Sequence, residues 1–252
     1  MALLISPSNS ESMKKISEKI NNKNDSIHKI VALSPHLAEI LISVGGSDRL
    51  IAAPFSTKGL PAHSISIEVL GGIDKELMLK LQPDLILAWT SGNKASDLNW
   101  LKSQGFRIYK DDPKNIKDIA KSFIEIATLI NKPKKGEERK KIFISAINKS
   151  CSVKDNKEVL VEIWNKPAIV LGGNHWINDA LKKIGLVNTF KEINRATFFI
   201  EREALMSKEN ILKISINNKN NLISKNMLAD LGRPGPDLPK ALSQICNQYL
   251  LY

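Results

Sequence analysis

The run Lys29-Ile30-Val31-Ala32-Leu33-Ser34-Pro35-His36-Leu37-Ala38-Glu39-Ile40-Leu41-Ile42-Ser43-Val44-Gly45-Gly46-Ser47-Asp48-Arg49-Leu50-Ile51-Ala52-Ala53 decides the fold class. Lys29 to Leu33 is an apolar run of strand length. Ser34-Pro35 then supplies a helix cap with proline at the first helical position, where its missing N–H costs nothing. Leu37, Ile40, Leu41 and Val44 recur on one helical face, and Gly45-Gly46 stops the helix. Arg49 to Ala53 is a second strand. Two strands joined by one helix of minimal length pair parallel through a right-handed crossover.

The alternation continues outward. Glu76 to Leu81 reads as a short helix ended before Pro83, Asp84 to Trp89 as a buried strand, Ala95 to Gln104 as a helix and Phe106 to Tyr109 as a strand. Asp111-Asp112-Pro113 opens a long helix with Ile116, Ile119, Phe123, Ile126 and Ile130 on one face. After Asn131-Lys132-Pro133 a helix is expected near Glu137 to Lys149, with Ile142, Phe143, Ala146 and Ile147 at helical spacing. The second half repeats the pattern: strands Glu158 to Ile163 and Ala168 to Leu171, a helix Asn174 to Ile184, a strand Ile211 to Ile216, and a final helix from Asp237 to about Tyr249. The expectation is an α/β protein of two Rossmann-like lobes joined by one helix. The N-terminal lobe takes 29–132, the connecting helix and linker 133–157, and the C-terminal lobe 158–252. Residues 1–28 are polar, lack periodicity and are expected to be disordered. Between Ile216 and Arg233 the polar string Asn217 to Asn221 stands where a helix should be, and the second lobe is expected to be shortened there.

With 252 residues, 42% hydrophobic and 25% charged, the composition is globular. No apolar run approaches the ~18 residues of a membrane span. Six units of the +11 net charge come from 131–157, where nine Lys/Arg meet three acids. Phe143, on the apolar face of the helix, is the one aromatic residue there and does not interleave with the basic residues as a base-stacking platform requires, so a solvated basic helix is expected and no nucleic-acid partner. Cys151 and Cys246 have no metal-ligand spacing. Two free thiols are expected, with one disulfide as the alternative. Met1-Ala2-Leu3-Leu4-Ile5 is shorter than the ~7–15 residues of a signal-peptide core and follows no basic residue, so no secretion signal is expected from it.

Candidate chemistry is sparse. Gly172-Gly173-Asn174 lacks the further glycines or lysine of a phosphate loop and reads as a tight turn. There is no GxSxG elbow and no HExxH. His36, His63 and His175 with Asp230 are the one conceivable Zn²⁺ or Mn²⁺ set, but each alone reads as a capping or surface residue, and no metal is expected. The aromatic residues are more informative. Trp89 and Trp100 flank Thr90-Ser91-Gly92-Asn93, Trp164 ends a strand, Trp176 opens a helix, and Phe55 follows the second strand. Aromatic side chains at strand-to-loop transitions in both halves suit a large planar ligand.

Several segments resemble the cobalamin- and ferric-siderophore-binding proteins of ABC importers. They are Ile30 to Glu39, Leu70-Gly71-Gly72-Ile73, Leu79 to Trp89 with Thr90-Ser91-Gly92-Asn93, Asp112-Pro113, Glu162-Ile163-Trp164, Gly172 to Ile177 and Arg233-Pro234-Gly235-Pro236. Ala88-Trp89 with Ser91-Gly92-Asn93 leans toward the cobalamin binders. The resemblance implies the helical-backbone periplasmic-binding fold and a carrier, not an enzyme, holding its ligand in an inter-lobe cleft. It places Phe55, Leu70 and Trp89 at ligand-lining positions of the first lobe and Thr197 at one of the second, where Trp164, His175 and Trp176, by their place at strand ends and helix starts, are the further ligand-binding candidates. Leu70 and Thr197 stand where cobalamin binders have aromatic residues. One glutamate per lobe docks on the permease in this family, which implies Glu76 and Glu203, with Glu209 as a rival. The resemblance further implies a periplasmic monomer, without a cofactor of its own, delivering to a permease and its ATPase. Cys246 matches a position often disulfide-bonded in relatives, but the expected partner position holds Ile184. Cobalamin or a related corrinoid is the expected ligand. The alternatives are haem, a ferric siderophore or a divalent metal on the same fold, a homologue that no longer binds, and, from another class, an α/β enzyme acting on a nucleotide-like ligand.

Overall fold

The computed structural model describes residues 27–151, 156–206, 211–216 and 230–249. The expected disorder over 1–28 and the expected shortening between Ile216 and Arg233 therefore fall almost wholly outside the described residues. Ile27 is buried, and the His28 N–H donates to the Asp84 carboxylate at 2.9 Å. The chain divides into two compact units. One holds the described residues up to Asp111 with Ile124–Glu137, and the other holds Asp112–Phe123 with those from Glu138 onward.

The first unit is built on five parallel strands, β1 (Ile30–Ala32), β2 (Leu50–Pro54), β3 (Ile65–Ile67), β4 (Leu85–Trp89) and β5 (Ile108–Asp111), in the order β3-β2-β1-β4-β5. Helices α1 (Pro35–Ser43), α2 (Lys75–Leu81) and α3 (Ala95–Ser103) provide the crossovers. The opening strand–helix–strand unit is as the sequence implies, with Gly45 in the left-handed region (φ +85) ending α1. Ser34 has the extended backbone of a cap, but its Oγ makes no capping bond. β3 was not foreseen, being three residues long with a serine at its centre.

Two helices follow, α4 (Ile116–Leu129) and α5 (Pro133–Lys149). α5 starts four residues ahead of expectation, with Pro133 in its first turn. The second sheet departs from the expected repeat of strand–helix alternation. β6 (Lys157–Trp164) pairs parallel with β10 (Leu212–Ser215) on one side. On its other side it pairs parallel with β8 (Leu186–Asn188) along its first half and antiparallel with β7 (Ile169–Leu171) near its end. β9 (Thr197–Phe199) extends the sheet antiparallel to β7. The reason is length: four residues, Asn165 to Ala168, cannot carry a parallel crossover, so β6 and β7 form a hairpin. Helices α6 (Trp176–Lys183), α7 (Arg202–Met206) and α8 (Leu238–Tyr249) complete the unit. Gly172 and Gly173 serve close approach: a Cβ on either would run into the backbone carbonyls of Arg195 and Lys191. Their N–H groups are taken by Ala196 O (2.9 Å) and Ile193 O (2.7 Å), which makes them a structural turn.

The expectation of two free thiols is corrected: Cys151 and Cys246 form a disulfide, with a Cα–Cα distance of 5.8 Å. It ties the chain just beyond α5 to the last turns of α8, across 95 residues of sequence. Cys151 Sγ lies 3.9 Å from the Ile184 carbonyl oxygen. The partner of Cys246 thus comes from the segment after α5, which ends beside Ile184. Titration of the unfolded protein without reductant should find no thiol, and two after reduction. Cys151→Ser should lower stability by about 2–4 kcal/mol in denaturant unfolding, the range for a cross-link closing a long loop.

Candidate functional site

In a parallel sheet every strand ends at the same edge, and the first unit gathers the ends of β1 to β5 there. Asn93 ties this edge together. Its Nδ2 donates to Leu33 O beyond β1 (2.8 Å), and its Oδ1 accepts from Trp89 N at the end of β4 (2.8 Å). The Thr90 N–H reaches Asp111 O of β5 at 2.9 Å. Trp89 is half-buried, its indole laid on Gly92 so closely that a Cβ there would stand 2.0 Å from Cε3. His36 of α1 meets that indole edge-on at 5.1 Å, and its Nε2 is 3.9 Å from Asp111 Oδ2. His36 is buried and serves as a support behind Trp89.

Two apolar side chains at this edge are left in solvent. Phe55, directly after β2, is 67% exposed, and Leu70, three residues after β3, is 85% exposed. Both are held there by carboxylates. Glu39 accepts from Lys58 N (3.1 Å) in the Phe55 loop, and Glu68 Oε1 accepts from Val69 N and Leu70 N (2.8 Å each). Phe55, Leu70 and Trp89 thus share one edge. Trp100 instead packs against the sheet core with Phe106, ring centroids 6.5 Å apart.

In the second unit Trp164 ends β6, 48% exposed, with Nε1 donating to Lys166 O at 2.9 Å. Register places Trp164 opposite Ile169, and Ile169 opposite Phe199. Phe199 is 72% exposed and two residues from Thr197 on the same face of β9, while Phe198 turns the other way onto Phe190 (5.2 Å). Reading 197–199 with the two-residue period of a strand would have found Phe199, which the sequence analysis missed. Trp176 is 2% exposed, and among the described residues its Nε1 has no hydrogen-bond partner.

His175 caps α6, its Nδ1 accepting from Ile177 N at 3.2 Å, and it stands at the end of β7, which runs opposite to β6. Burial, then the Lys114 ammonium, lower its pKa to about 4, against an opposing pull from Asp112. Lys114 and Asp112 are themselves paired at 2.7 Å. The imidazole is therefore neutral at pH 7. Because Nδ1 is the acceptor, Nε2 carries the proton. Glu76 and Glu203 are exposed in the first turns of α2 and α7, while Glu209 lies outside the described residues. His63 is exposed, and among the described residues no three His, Cys, Asp or Glu side chains gather as metal ligands.

The chain belongs to the periplasmic binding protein family, which it matches over residues 30–218. It is 28% identical over 173 residues to a vitamin B12-binding protein of Vibrio parahaemolyticus, covering 66% of this chain and 62% of that one. To the vitamin B12-binding protein of Yersinia pestis it is 26% identical over 190 residues, or 72% and 66% of the two chains. The chain thus spans about 62% of the length of the first of these relatives. Its fold is that of the periplasmic vitamin B12 binding protein of Vibrio cholerae (TM-score 0.74, 22% identity, 87% of this chain and 95% of that one). It is shared too by a periplasmic heme-binding protein from Roseiflexus (TM-score 0.68, 15% identity, 87% and 97%). The family resemblance carried by Ile30 to Glu39 and Leu79 to Asn93 is borne out.

Two outcomes follow from this geometry. Gly92→Ala should drive the Trp89 indole off the loop, shifting tryptophan emission and costing about 1–3 kcal/mol of stability, read from melting. His175, with a folded pKa below its unfolded value of about 6.5, stabilises the fold above pH 6.5 and loses that contribution as pH falls toward 4, on the order of 2–3 kcal/mol. His175→Asn keeps a capping acceptor without titrating, so its melting temperature should fall less than the parent's over that window.

Proposed function

We propose that this protein is the substrate-binding component of an ABC importer and that its ligand is cobalamin or a related corrinoid. The observation carrying this reading is the set of large apolar side chains kept in solvent at strand ends: Phe55 and Leu70 beside Trp89, and Trp164 in register with Phe199. Broad apolar faces with few charges suit a large ring bound by stacking and burial. The kinship with vitamin B12-binding proteins supports the same choice. Carriage without chemistry is the corresponding reading of activity. Delivery would take place in the periplasm, with the exposed Glu76 and Glu203 meeting basic residues of a permease.

Haem ligated by these histidines fits less well. His36 is buried behind Trp89, and ligation by His175 Nε2 would require moving a proton onto the capping nitrogen Nδ1. In calorimetry with cyanocobalamin we expect one saturable site of about micromolar affinity or tighter, near −8 kcal/mol. Trp89→Ala should weaken it roughly tenfold, about 1.4 kcal/mol of lost stacking and burial, while His175→Asn leaves it unchanged. Haem binding abolished by His175→Asn, with no heat from the corrinoid, would overturn the reading.

A further inference from the structure

The basic helix α5 has a feature that ligand capture at the strand ends does not use. Arg139, Ile142, Phe143 and Ala146 lie on one of its faces and form a wall of a pocket of about 350 Å³ in the second unit. Phe143 packs against Phe123 of α4 with centroids 5.3 Å apart and the rings tilted by 38°, and both line the pocket, while Ile142 remains 50% exposed. The opposite wall is the start of α8, with Pro239 and Lys240. Proline offers no N–H, and Ser243 spends its hydroxyl on Pro239 O at 3.0 Å. The charged groups at this pocket are therefore two cations, Arg139 and Lys240, and neither makes an ion pair with another described residue. The Cys151–Cys246 disulfide links the segment after α5 to α8, so both walls are clamped and the pocket is formed in advance.

We propose that this pocket binds a small single-chain amphiphile with an anionic head, its chain against Ile142, Phe143 and Ala146 and its head between Arg139 and Lys240. A purely polar anion would leave the aromatic floor wet, and a neutral apolar molecule would gain no charge-assisted hydrogen bond from the two cations. The volume lies near the lower end for ligand pockets, which limits the occupant to a short chain. The site shares no residue with the strand-end positions assigned to the corrinoid, so either reading can fail alone.

The test is calorimetric titration of the full chain with dodecanoate below its micelle concentration, beside dodecyltrimethylammonium as the cationic counterpart. One saturable site for dodecanoate and none for the cation is expected. Arg139→Gln with Lys240→Gln should weaken dodecanoate binding tenfold or more, and Arg139→Lys with wild-type Lys240 should retain most of it. Arg139 is half-exposed and Lys240 exposed, so these variants keep the fold, as a parent-like melt would verify. Equal binding of both detergents, or undiminished dodecanoate affinity in the double glutamine variant, would overturn the proposal. So would sedimentation with anionic lipid vesicles in the absence of any dodecanoate site, since that outcome makes the feature a membrane surface and not a pocket.

Discussion

The complete burial of β1 governs the first unit. Ile30, Val31, Ala32 and Leu33 have no solvent exposure, and the strand is flanked by β2 and β4 with both faces covered. A strand in that position has to be apolar throughout, and its neighbours must be reached by crossovers that bring helices over the sheet. Parallel pairing then puts every C-terminal end at one edge. The loops after Ala32, Pro54, Ile67, Trp89 and Asp111 therefore collect there without any choice of loop sequence. What the loops choose is which side chains stand out. Asn93 and Gly92 fix Trp89, Glu39 fixes the Phe55 turn, and Glu68 fixes the turn at Leu70.

The same dependence explains what could be read in the sequence and what could not. β1, α1 and β2 are legible because burial on both faces forces a continuous apolar run and the caps are local. β3 and β9 have three residues each and contain little periodicity, so pairing with β2 and β7, not their own composition, makes them strands. Trp164 and Trp176 look alike in sequence, each at an element boundary. Only packing separates the exposed ring from the buried one. The disulfide was illegible for a related reason, since no local feature shows that the ends of α5 and α8 meet.

The histidines illustrate how position overrides residue type. His36 and His175 both sit at helix starts after strands, which from sequence made them comparable candidates for a Zn²⁺ or Mn²⁺ set. In the fold His36 is packed behind the indole of Trp89, while His175 has its acceptor nitrogen committed to Ile177 N. Burial holds the latter neutral, and neutrality is what lets it cap α6. Two residues that suggested metal chemistry are accounted for as supports. The aromatic and aliphatic surface is left to carry the ligand-binding reading.

Keeping that surface in water has a physical cost elsewhere. Exposed Phe55, Leu70, Trp164 and Phe199 are groups on which two copies could associate, and edge strands add hydrogen-bonding groups for the same error. Among the described residues both sheets are bordered by strands of only three or four residues, β3 and β5 in one and β8, β9 and β10 in the other, which leaves little edge to template on. The net charge of +11 adds repulsion between copies at long range. The lysine richness of the chain, which says nothing about a ligand, is therefore compatible with a binding role. It permits apolar strand ends to remain open for a ligand while discouraging them from meeting each other.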